Sequence, residues 1–494
     1  MASAPMTENH RSVIVIGAGI SGLVCAYRLK SLGVDTLLIE QSDRPGGVIR
    51  SDLIDGCLIE RGPNSTTGTA DVLALVEELG IWGELVEGDP RAPAFIYFRG
   101  KLHGVPTGPG SLIFTRLLSI GGKLSLLGEP FRKKRASDEE ESVASFAARR
   151  LGPQIAERFV APFVSGIYAG DANKLSVQAA FPRLATLERE HGSLMRGAFA
   201  LLAKKRKEKS DSHEAKKPKT KRLCSFKEGM AFLPKTIAAK MGEDLMMGCS
   251  GVTVSADATD SRKGAKPQRT QSAAGIAVSA KEETTQGRFV VSFERSGRAE
   301  QFACDNAVIA APARAASELV RPLSEQLSLL LGEIEYPQLA VVSLAYDESA
   351  LRGPLSGFGF LAVPGQGLNI LGCVYSSSLF PGRAPAGKVL VNTFVGGALN
   401  PTLAGLEDSE LAALIHRDLV NALGARAEPS VMAVTRYERS IPQYNLGHAE
   451  RVRRIDELSK SIPGLHVIGN YLHGVSTGDC IKEADRVARE MATQ

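Results

Sequence analysis

Residues 13–40, VIVIGAGISGLVCAYRLKSLGVDTLLIE, alternate between strand, glycine turn, helix and strand. Gly17 permits the tight turn, Gly19 lets the backbone approach a pyrophosphate, and Gly22 lets the helix pack on the sheet. The helix N-terminus then directs free amide groups at the phosphates. Glu40 ends the second strand about 20 residues on, where a carboxylate accepts hydrogen bonds from ribose hydroxyls. The stretch predicts a βαβ unit that binds a dinucleotide; the alternative is a glycine-rich turn without a ligand.

Further glycines follow the acidic residue. Arg44-Pro45-Gly46-Gly47 comes directly after Glu40-Gln41, and Glu60-Arg61-Gly62-Pro63-Asn64 follows. An NAD enzyme does not need this second pair, whereas a flavoprotein holding an extended FAD often does, because its chain crosses the phosphates and ribityl chain again. This favours FAD. The alternatives are a solvated loop charge for Arg44 and a strand-end carboxylate for Glu60.

A third glycine loop lies near the C-terminus. Gly469-Asn470-Tyr471 and Gly474-Val475 precede a predicted helix containing Asp479-Cys480-Ile481. Such a loop aims amide groups at an electron-rich partner, and the N1–C2=O edge of a flavin fits that geometry. Strand, glycine loop and helix are also ordinary in α/β proteins.

The composition is that of a globular protein with two or three domains. The chain has 494 residues, 44% hydrophobic and 23% charged, and a net charge of +5. Ten Lys or Arg against three acidic residues in 204–222 give that tract a net charge of +7, which leaves −2 for the rest. The basic character therefore belongs to one low-complexity segment, which we interpret as a disordered loop.

Seven cysteines without CxxC spacing indicate reduced thiols in a cytoplasmic protein, with neither a disulfide framework nor a metal site. The N-terminus MASAPMTENHRS has no signal-peptide pattern, and we expect no transmembrane helix. Nucleic acid is an unexpected partner, because no aromatic residues are interleaved with the basic run.

The order of elements predicts an α/β protein with interleaved domains. The Rossmann-like FAD-binding domain comprises residues 1–90, 223–319 and 441–494, and a β-rich substrate-binding domain comprises 91–110 and 320–440. Residues 111–222 form a helical insertion, and 258–272 form a second flexible insertion.

Residues 93–106, PAFIYFRGKLHGVP, predict a hairpin with its turn at Arg99-Gly100-Lys101. Alternation places Phe95, Tyr97 and Arg99 on one strand face. The residues alone leave two interpretations open: a solvated edge strand, or a pocket wall that binds an acidic, aromatic ligand.

A series of motifs identifies a family. They are GAGISGL with Glu40 and RPGG, then ERGPNS, GIYAGDANKLS (166–176), FPRLATLEREHGSL, GFGFLAVP, SSSLFPGRAP, TFVGG, IPQYNLGH (441–448) and GNYLHGVSTGDCI. In this order the chain resembles protoporphyrinogen oxidases, within the wider amine-oxidase-like family of FAD enzymes, over nearly its whole length. The tract 204–222 does not match and looks like an insertion.

The resemblance implies an FAD-dependent oxidation of protoporphyrinogen IX to protoporphyrin IX in haem synthesis. Six electrons pass to oxygen and give hydrogen peroxide. The alternatives are oxidation of coproporphyrinogen III, which carries four carboxylates, or the activity of another FAD enzyme such as an amine oxidase or carotenoid desaturase. A non-catalytic flavoprotein whose basic tract binds a partner is a third interpretation. GIYAGD and IPQYNLGH favour protoporphyrinogen, while Lys101 and His103, beside Arg99, leave the four-carboxylate substrate open.

The resemblance also implies site residues. Those for FAD are Gly17, Gly19, Ile20, Ser21, Gly22, Glu40, Gln41, Arg44, Gly46, Gly47, Gly62, Pro63, Asn64, Val252 through its backbone towards adenine, Gly474 and Val475. Those for the substrate are Arg99 on a propionate and Gly166, Phe360 or Leu361, Val374 and Phe394 around the macrocycle. Phe394 is alternatively a core ring, and Gly166 a turn. No catalytic acid–base pair stands out.

Poorly soluble tetrapyrroles make membrane contact chemically sensible. Residues 112–135, LIFTRLLSIGGKLSLLGEPFRKKR, suit a helix lying in an anionic bilayer interface, or else a core helix with a basic end. We therefore expect a cytoplasmic protein, peripherally attached to the inner face of the membrane, with molecular oxygen as its second substrate and with a homodimer possible.

Overall fold

The computed structural model describes residues 10–211 apart from 136 and 138, residues 222–256, and residues 288–493. The strands are β1 (His10–Ile16), β2 (Thr36–Ile39), β3 (Ser51–Ile54), β4 (Cys57–Glu60), β5 (Thr66–Thr67), β6 (Leu85–Glu87), β7 (Ala94–Phe98), β8 (Lys101–Gly104), β9 (Leu223–Phe226), β10 (Leu245–Met246), β11 (Ser250–Ala256), β12 (Phe289–Arg295), β13 (Arg298–Ile309), β14 (Leu339–Asp347), β15 (Gly359–Ala362), β16 (Ile370–Val374), β17 (Lys388–Gly396), β18 (Val431–Tyr437) and β19 (Leu465–Val467).

The helices are α1 (Ile20–Ser31), α2 (Ala70–Glu78), α3 (Pro109–Phe114), α4 (Ile120–Leu127), α5 (Val143–Leu151), α6 (Pro153–Ile155), α7 (Ala161–Tyr168), α8 (Val177–Ala180), α9 (Pro182–His191), α10 (Leu194–Asp211), α11 (Phe232–Met241), α12 (Ala313–Val320), α13 (Glu325–Gly332), α14 (Ser376–Leu379), α15 (Asp408–Leu423), α16 (His448–Lys460) and α17 (Thr477–Ala492). A π-helical turn, Ala156–Val160, joins α6 to α7.

The first sheet contains the predicted βαβ unit. Its strand order is β10-β2-β1-β13-β12-β11, with β19 beside β13, and β1 runs parallel to both β2 and β13. The central strands are apolar and buried, as in a sheet covered on both faces. Helices α1, α11 and α17 contribute to the core on one side, and α12, α13 and α16 to the core on the other. The predicted α/β fold with a Rossmann-like unit is confirmed.

The second sheet has the strand order β18-β14-β17-β16-β15-β7-β8. It is antiparallel apart from the pairing of β15 with β7. Leu411, Ile415 and Leu419 of helix α15 pack on one face of this sheet. The other face carries Leu361 and Phe394 and borders the cavity described below.

Helices α3 to α10 lie between β8 and β9 in the sequence and make up the helical region. Arg150 and Glu129 form an ion pair whose side chains are completely buried. Glu129 also accepts hydrogen bonds from Ser193 Oγ (2.6 Å) and the amide of Leu194 (2.9 Å), which fixes the start of α10. The region is thus anchored internally by a buried charge pair whose acceptors are satisfied.

Two predictions for this region need correction. Residues 112–135 form α3 and α4 instead of one helix, since the chain leaves α3 at Thr115 and Ser119 caps α4 by accepting from the Gly122 amide. Residues 204–211 continue α10 and are not a disordered loop, because Lys, Arg and Glu extend an existing helix readily. The remainder of that tract, 212–221, and the insertion 258–272 lie outside the described residues. Among the helices that the structure describes, none is both long and apolar enough to cross a membrane.

An ion pair links the second sheet to strands β4 and β9. The Arg383 guanidinium, in the loop before β17, donates to Ser225 Oγ (2.7 Å) and the Phe226 carbonyl (3.0 Å). It also lies 3.7 Å from the carboxylate of Glu60, and both side chains are almost fully buried. Burial raises the pKa of Glu60 to about 7, although Ser51 Oγ, the Met230 amide and Arg383 oppose that rise.

The raised pKa of Glu60 predicts that the free energy of unfolding depends on pH. Because its folded pKa lies above the unfolded value near 4.5, the stabilisation is complete below that value and is lost as the pH rises through about 7. The free energy of unfolding should therefore fall by up to about 3 kcal/mol between pH 5 and 8 relative to Glu60→Gln. Scanning calorimetry at both pH values measures this difference. Glu77→Gln, an exposed carboxylate on α2, is the control, and parallel pH profiles for wild type and Glu60→Gln would contradict the account.

Candidate active site

A cavity of about 2000 Å³ lies between the two sheets. Ordinary small-molecule pockets occupy roughly 300–1,000 Å³. The loops after β1 and β2 line one part of it, through residues such as Gly19 and Glu40, and Leu361 and Phe394 of the second sheet line another. The cavity therefore has room for a dinucleotide and a second large ligand.

The two glycine motifs that follow β1 and β2, residues 17–22 and 44–47, pack together, and we call this unit the clasp. The Gly46 amide donates to the Ala18 carbonyl (2.8 Å), so the second glycine pair packs on the first glycine turn. The Ala18 amide in turn donates to Glu40 Oε2 (2.6 Å). Gly17, Gly46 and Gly47 have φ values of 107°, 106° and 58°, which favour glycine. The spacing of these glycines thus has a direct conformational cause.

Helix α1 offers an anion site. Gly19 is its N-cap, and no side chain caps the first turn. A Cβ built on Gly19 meets no atom within 4 Å, whereas one built on Gly22 would overlap the Gly17 carbonyl. The first turn of the helix is therefore open where a pyrophosphate would bind, and Gly22 supplies the close packing behind it. These residues fit a dinucleotide.

The structure brings most of the predicted cofactor residues to the cavity wall. Those that line it are Gly17, Gly19, Ile20, Ser21, Glu40, Gln41, Gly46, Gly47, Gly62, Pro63, Asn64, Val252 and Val475. Gly22, Arg44 and Gly474 do not. Arg44 donates instead to the Gly47 carbonyl (2.8 Å), which ties the clasp together from outside.

The Gly474 amide is already used within the protein. It donates to the hydroxyl of Tyr444 (2.9 Å), and the same hydroxyl donates to the Asn470 carbonyl (2.6 Å). Tyr444 is buried, and its ring stacks on His448 at 4.1 Å. Burial lowers the pKa of His448 to about 4, which keeps that imidazole neutral at physiological pH. Tyr444 thereby holds the loop that places Val475 at the cavity.

The part of the cavity away from the clasp is apolar, and we call it the apolar chamber. Leu361, Val341 and Phe394 form its floor on the second sheet, and Phe163 of α7 forms part of its roof. Gly166 also lines the cavity, and a Cβ there would overlap the Leu361 side chain, so this glycine permits the helix to approach the sheet. A flat hydrophobic ligand fits between these two surfaces.

The alternation of side chains along β15 decides which of Phe360 and Leu361 faces the cavity. Phe360 borders the cavity, but its ring packs against Tyr97 (6.4 Å between centroids) in the core beneath the sheet. The neighbouring Leu361 belongs to the opposite face, towards α7. Val374 also lines the cavity. Of the paired prediction "Phe360 or Leu361", the side-chain geometry supports Leu361.

The hairpin forms as predicted, but Arg99 does not lie on the predicted face. Arg99 and Gly100 form a two-residue turn with φ values of 51° and 74°, typical of a type I′ turn. The alternation of β7 ends at Phe98, and the Arg99 guanidinium lies 5.2 Å from the Phe98 ring centroid. The prediction that Phe95, Tyr97 and Arg99 share a face is therefore wrong for Arg99. Arg99 is exposed and lies outside the cavity lining.

Ionisable groups are few along the cavity wall. Among the described residues the charged ones there are Glu40, Arg314, Glu318, Glu438 and Arg439. Burial raises the pKa of Tyr336 to about 12, an effect that Arg439 opposes, and the Tyr336 hydroxyl accepts from the Ala313 amide. In the apolar part the chain can bind and orient a ligand and exclude water.

A dinucleotide clasp joined to an apolar chamber defines a cofactor-dependent enzyme class in which the bound cofactor performs the chemistry. Residues 20–492 match the family model of the flavin containing amine oxidoreductases. The chain belongs to this family. It is a flavin-dependent oxidoreductase, and its cofactor is FAD.

Known proteins resemble the chain over nearly its full length. A chloroplastic protoporphyrinogen oxidase from Nicotiana tabacum is 34% identical over 97% of this chain and 85% of that protein. The coproporphyrinogen III oxidase of Bacillus subtilis (strain 168) is 26% identical over 99% of both. A crystal structure of a candidate protoporphyrinogen oxidase from Exiguobacterium sp. 255-15 has a TM-score of 0.77, with 22% identity over 99% of this chain and 100% of that one. The last likeness shows the fold.

Tyr444→Phe should weaken FAD binding. The variant leaves the Gly474 amide and the Asn470 carbonyl without their partner, so the loop that carries Val475 loses its anchor. We expect the dissociation constant for FAD to rise about tenfold in a titration of apoprotein followed by flavin fluorescence. Tyr346→Phe is the matched control, since it removes a buried hydroxyl that bonds His416 (3.2 Å) beneath the second sheet. Unchanged FAD affinity, or equal losses in both variants, would contradict the role.

Proposed function

We propose that the protein oxidises protoporphyrinogen IX to protoporphyrin IX, with molecular oxygen as the final acceptor. The substrate loses six hydrogens, and three molecules of oxygen become three of hydrogen peroxide. The observation that carries the proposal is the apolar chamber, which joins the FAD clasp and is formed by Leu361, Phe394 and Phe163. The similarity to named protoporphyrinogen oxidases supports the substrate class.

Each group has a defined part in this proposal. Bound FAD supplies the two-electron acceptor chemistry. Leu361, Val374 and Phe394 hold the macrocycle against the second sheet, and Gly166 allows α7 to close over it. Because these surfaces exclude water, the reacting bond is kept from competing reactions. Arg99, at the tip of the hairpin and outside the cavity lining, binds a propionate that extends from the chamber.

Coproporphyrinogen III is the second candidate substrate, and the similarity to the Bacillus subtilis enzyme favours it. Its four carboxylates would place two charges against the apolar surfaces of Leu361 and Phe394, at a desolvation cost of several kcal/mol each. The two-carboxylate substrate has no such penalty. We therefore place protoporphyrinogen IX first.

The two substrates can be compared directly. The FAD-loaded protein should oxidise protoporphyrinogen IX with a kcat/KM at least about tenfold above that for coproporphyrinogen III, since one buried unpaired carboxylate costs more than 1.4 kcal/mol. Porphyrin fluorescence and peroxide release measure both reactions. Preference for coproporphyrinogen III would reverse the substrate assignment. Oxidation of neither porphyrinogen, without peroxide, would show that the proposed function is wrong.

Arg99→Ala tests the propionate contact. Binding of a carboxylate is equally strong in the ground and transition states, so KM for protoporphyrinogen IX should rise about three- to tenfold while kcat stays nearly constant. Arg91→Ala is the control, because Arg91 is an exposed arginine just before β7 and outside the cavity lining. An unchanged KM for Arg99→Ala would remove this residue from the substrate site.

We also propose that the helical region rests on an anionic bilayer. Nine apolar side chains of this region are exposed, and in this proposal they make up the docking surface: Ile113, Phe114, Ile120, Leu124, Leu127, Phe131, Phe199, Leu201 and Leu202. Phe114 and Phe131 are each 84% exposed, which argues against the core-helix interpretation of residues 112–135. Exposed Arg116, Lys133 and Arg196 flank this surface in the sequence. Apolar side chains bordered by basic ones suit a peripheral contact with acidic lipids.

The double variant Phe114→Ser/Phe131→Ser should lose binding to vesicles of phosphatidylcholine with phosphatidylserine. Two large side chains leave the interface, so the partition coefficient measured by co-sedimentation should fall more than tenfold. Leu53→Ser is the control, since Leu53 is 72% exposed on the β3–β4 hairpin, away from this surface. Equal vesicle binding by the wild type and the double variant would rule out this docking surface.

A further inference from the structure

Two guanidinium groups converge on the ring of Phe98. The Cζ atom of Arg158 lies 4.7 Å from the ring centroid, and that of Arg99 lies 5.2 Å from it. The two arginines come from unrelated elements, the π-helical turn before α7 and the β7–β8 turn. Since both contact one ring, their Cζ atoms are at most roughly 10 Å apart.

Arg158 has hydrogen-bonding capacity left over. Its Nη1 donates to the Leu117 carbonyl (2.9 Å) and to Gln154 Oε1 (3.2 Å). Its Nε is buried and has no hydrogen-bond partner among the described residues. The nearest carboxylate is that of Glu157, 3.8 Å from Nε and therefore beyond hydrogen-bond distance. The side chain is only 15% exposed, and its ion pair with Glu157 contains no charge-assisted hydrogen bond, so the guanidinium keeps donors for a further anion.

Phe98, whose ring both Arg99 and Arg158 contact, packs beside the cavity wall. Phe98 packs in a cluster with Ile96 and Phe159, and both of these residues line the cavity. Arg158 directly precedes Phe159 in the π-helical turn, and it is itself outside the cavity lining. The described charged residues that line the cavity are Glu40, Arg314, Glu318, Glu438 and Arg439, and none of them belongs to the Phe98 cluster. The cations Arg99 and Arg158 therefore meet at one ring, that of Phe98, which packs beside the part of the cavity wall formed by Ile96 and Phe159.

We propose that Arg158 is a second carboxylate-binding residue, which works beside Arg99 to hold the two propionates of the substrate. The inference rests on the proposed function and deepens it. The propionates of protoporphyrinogen IX lie on adjacent pyrrole rings, so both leave the macrocycle at one edge. Two arginines beside one part of the chamber wall match that arrangement, and they set the orientation in which the macrocycle enters. A planar guanidinium with free donors suits a carboxylate better than an ammonium group does.

Arg158→Gln isolates this contact when two substrates are compared. With protoporphyrinogen IX, we expect KM to rise about tenfold, with kcat within about twofold of wild type. With the dimethyl ester of protoporphyrinogen IX, which has no carboxylates, the same substitution should leave KM unchanged. A purely structural role for Arg158 would affect both substrates alike. Arg189→Gln, an exposed arginine on α9, is the control and should not affect either KM.

A conservative variant covers the case in which Arg158→Gln is unstable. Arg158→Lys keeps the cation and its aliphatic stem but loses the planar fork, and it should recover part of the KM for protoporphyrinogen IX. FAD content and thermal melting verify that each variant is folded. Equal effects on the acid and the ester, or no effect in either variant, would overturn the inference while leaving the proposed function in place. If the wild type oxidises neither substrate, the proposed function fails and the inference fails with it.

Discussion

The hydrogen bond from the Ala18 amide to the Glu40 carboxylate, 2.6 Å long, is the constraint on which the site depends. It fixes the turn after β1 against the end of β2, so that the first turn of α1 opens towards the cavity. The Ala18 carbonyl then receives the Gly46 amide, which places the second glycine pair over the first. A loop that carried a side chain at Gly46 or Gly47 would need a positive φ that other residues rarely adopt. The backbone geometry of these glycine turns thus shapes the cofactor site.

The second sheet is oriented against this clasp by buried polar contacts. Arg383 reaches across to Ser225 and Glu60, and Asn392 donates to Asn64, which lines the cavity. These contacts connect a β-rich unit, whose inner face is apolar, to the unit that holds the cofactor. The chamber between them therefore has one polar end, at the clasp, and one apolar body. This division into a polar and an apolar part suits a dinucleotide beside a flat hydrophobic ligand.

Local sequence was sufficient for features that depend on local geometry. Gly17, Gly19, Gly22 and Glu40 were predictable because a βαβ turn imposes a fixed spacing on its glycines. Arg99 was placed on the wrong face because a positive φ at the turn, which no alternation rule contains, ends the strand one residue earlier. The pair Phe360 and Leu361 remained undecided from sequence, since alternation gives two faces without saying which one packs on α15.

Contacts that are distant in sequence escaped the sequence analysis. Tyr444 lies within a recognisable motif, yet its bond to Gly474 depends on a loop thirty residues further on. Arg158 is placed by a π-helical turn, which has no dependable sequence signature.

FAD and a porphyrinogen are proposed to meet in one chamber, and an anaerobic stopped-flow experiment with the FAD-loaded protein tests this most directly. Mixing with protoporphyrinogen IX should bleach the absorption band of oxidised flavin in a phase whose rate saturates with substrate. Flavin that stays oxidised would contradict the account.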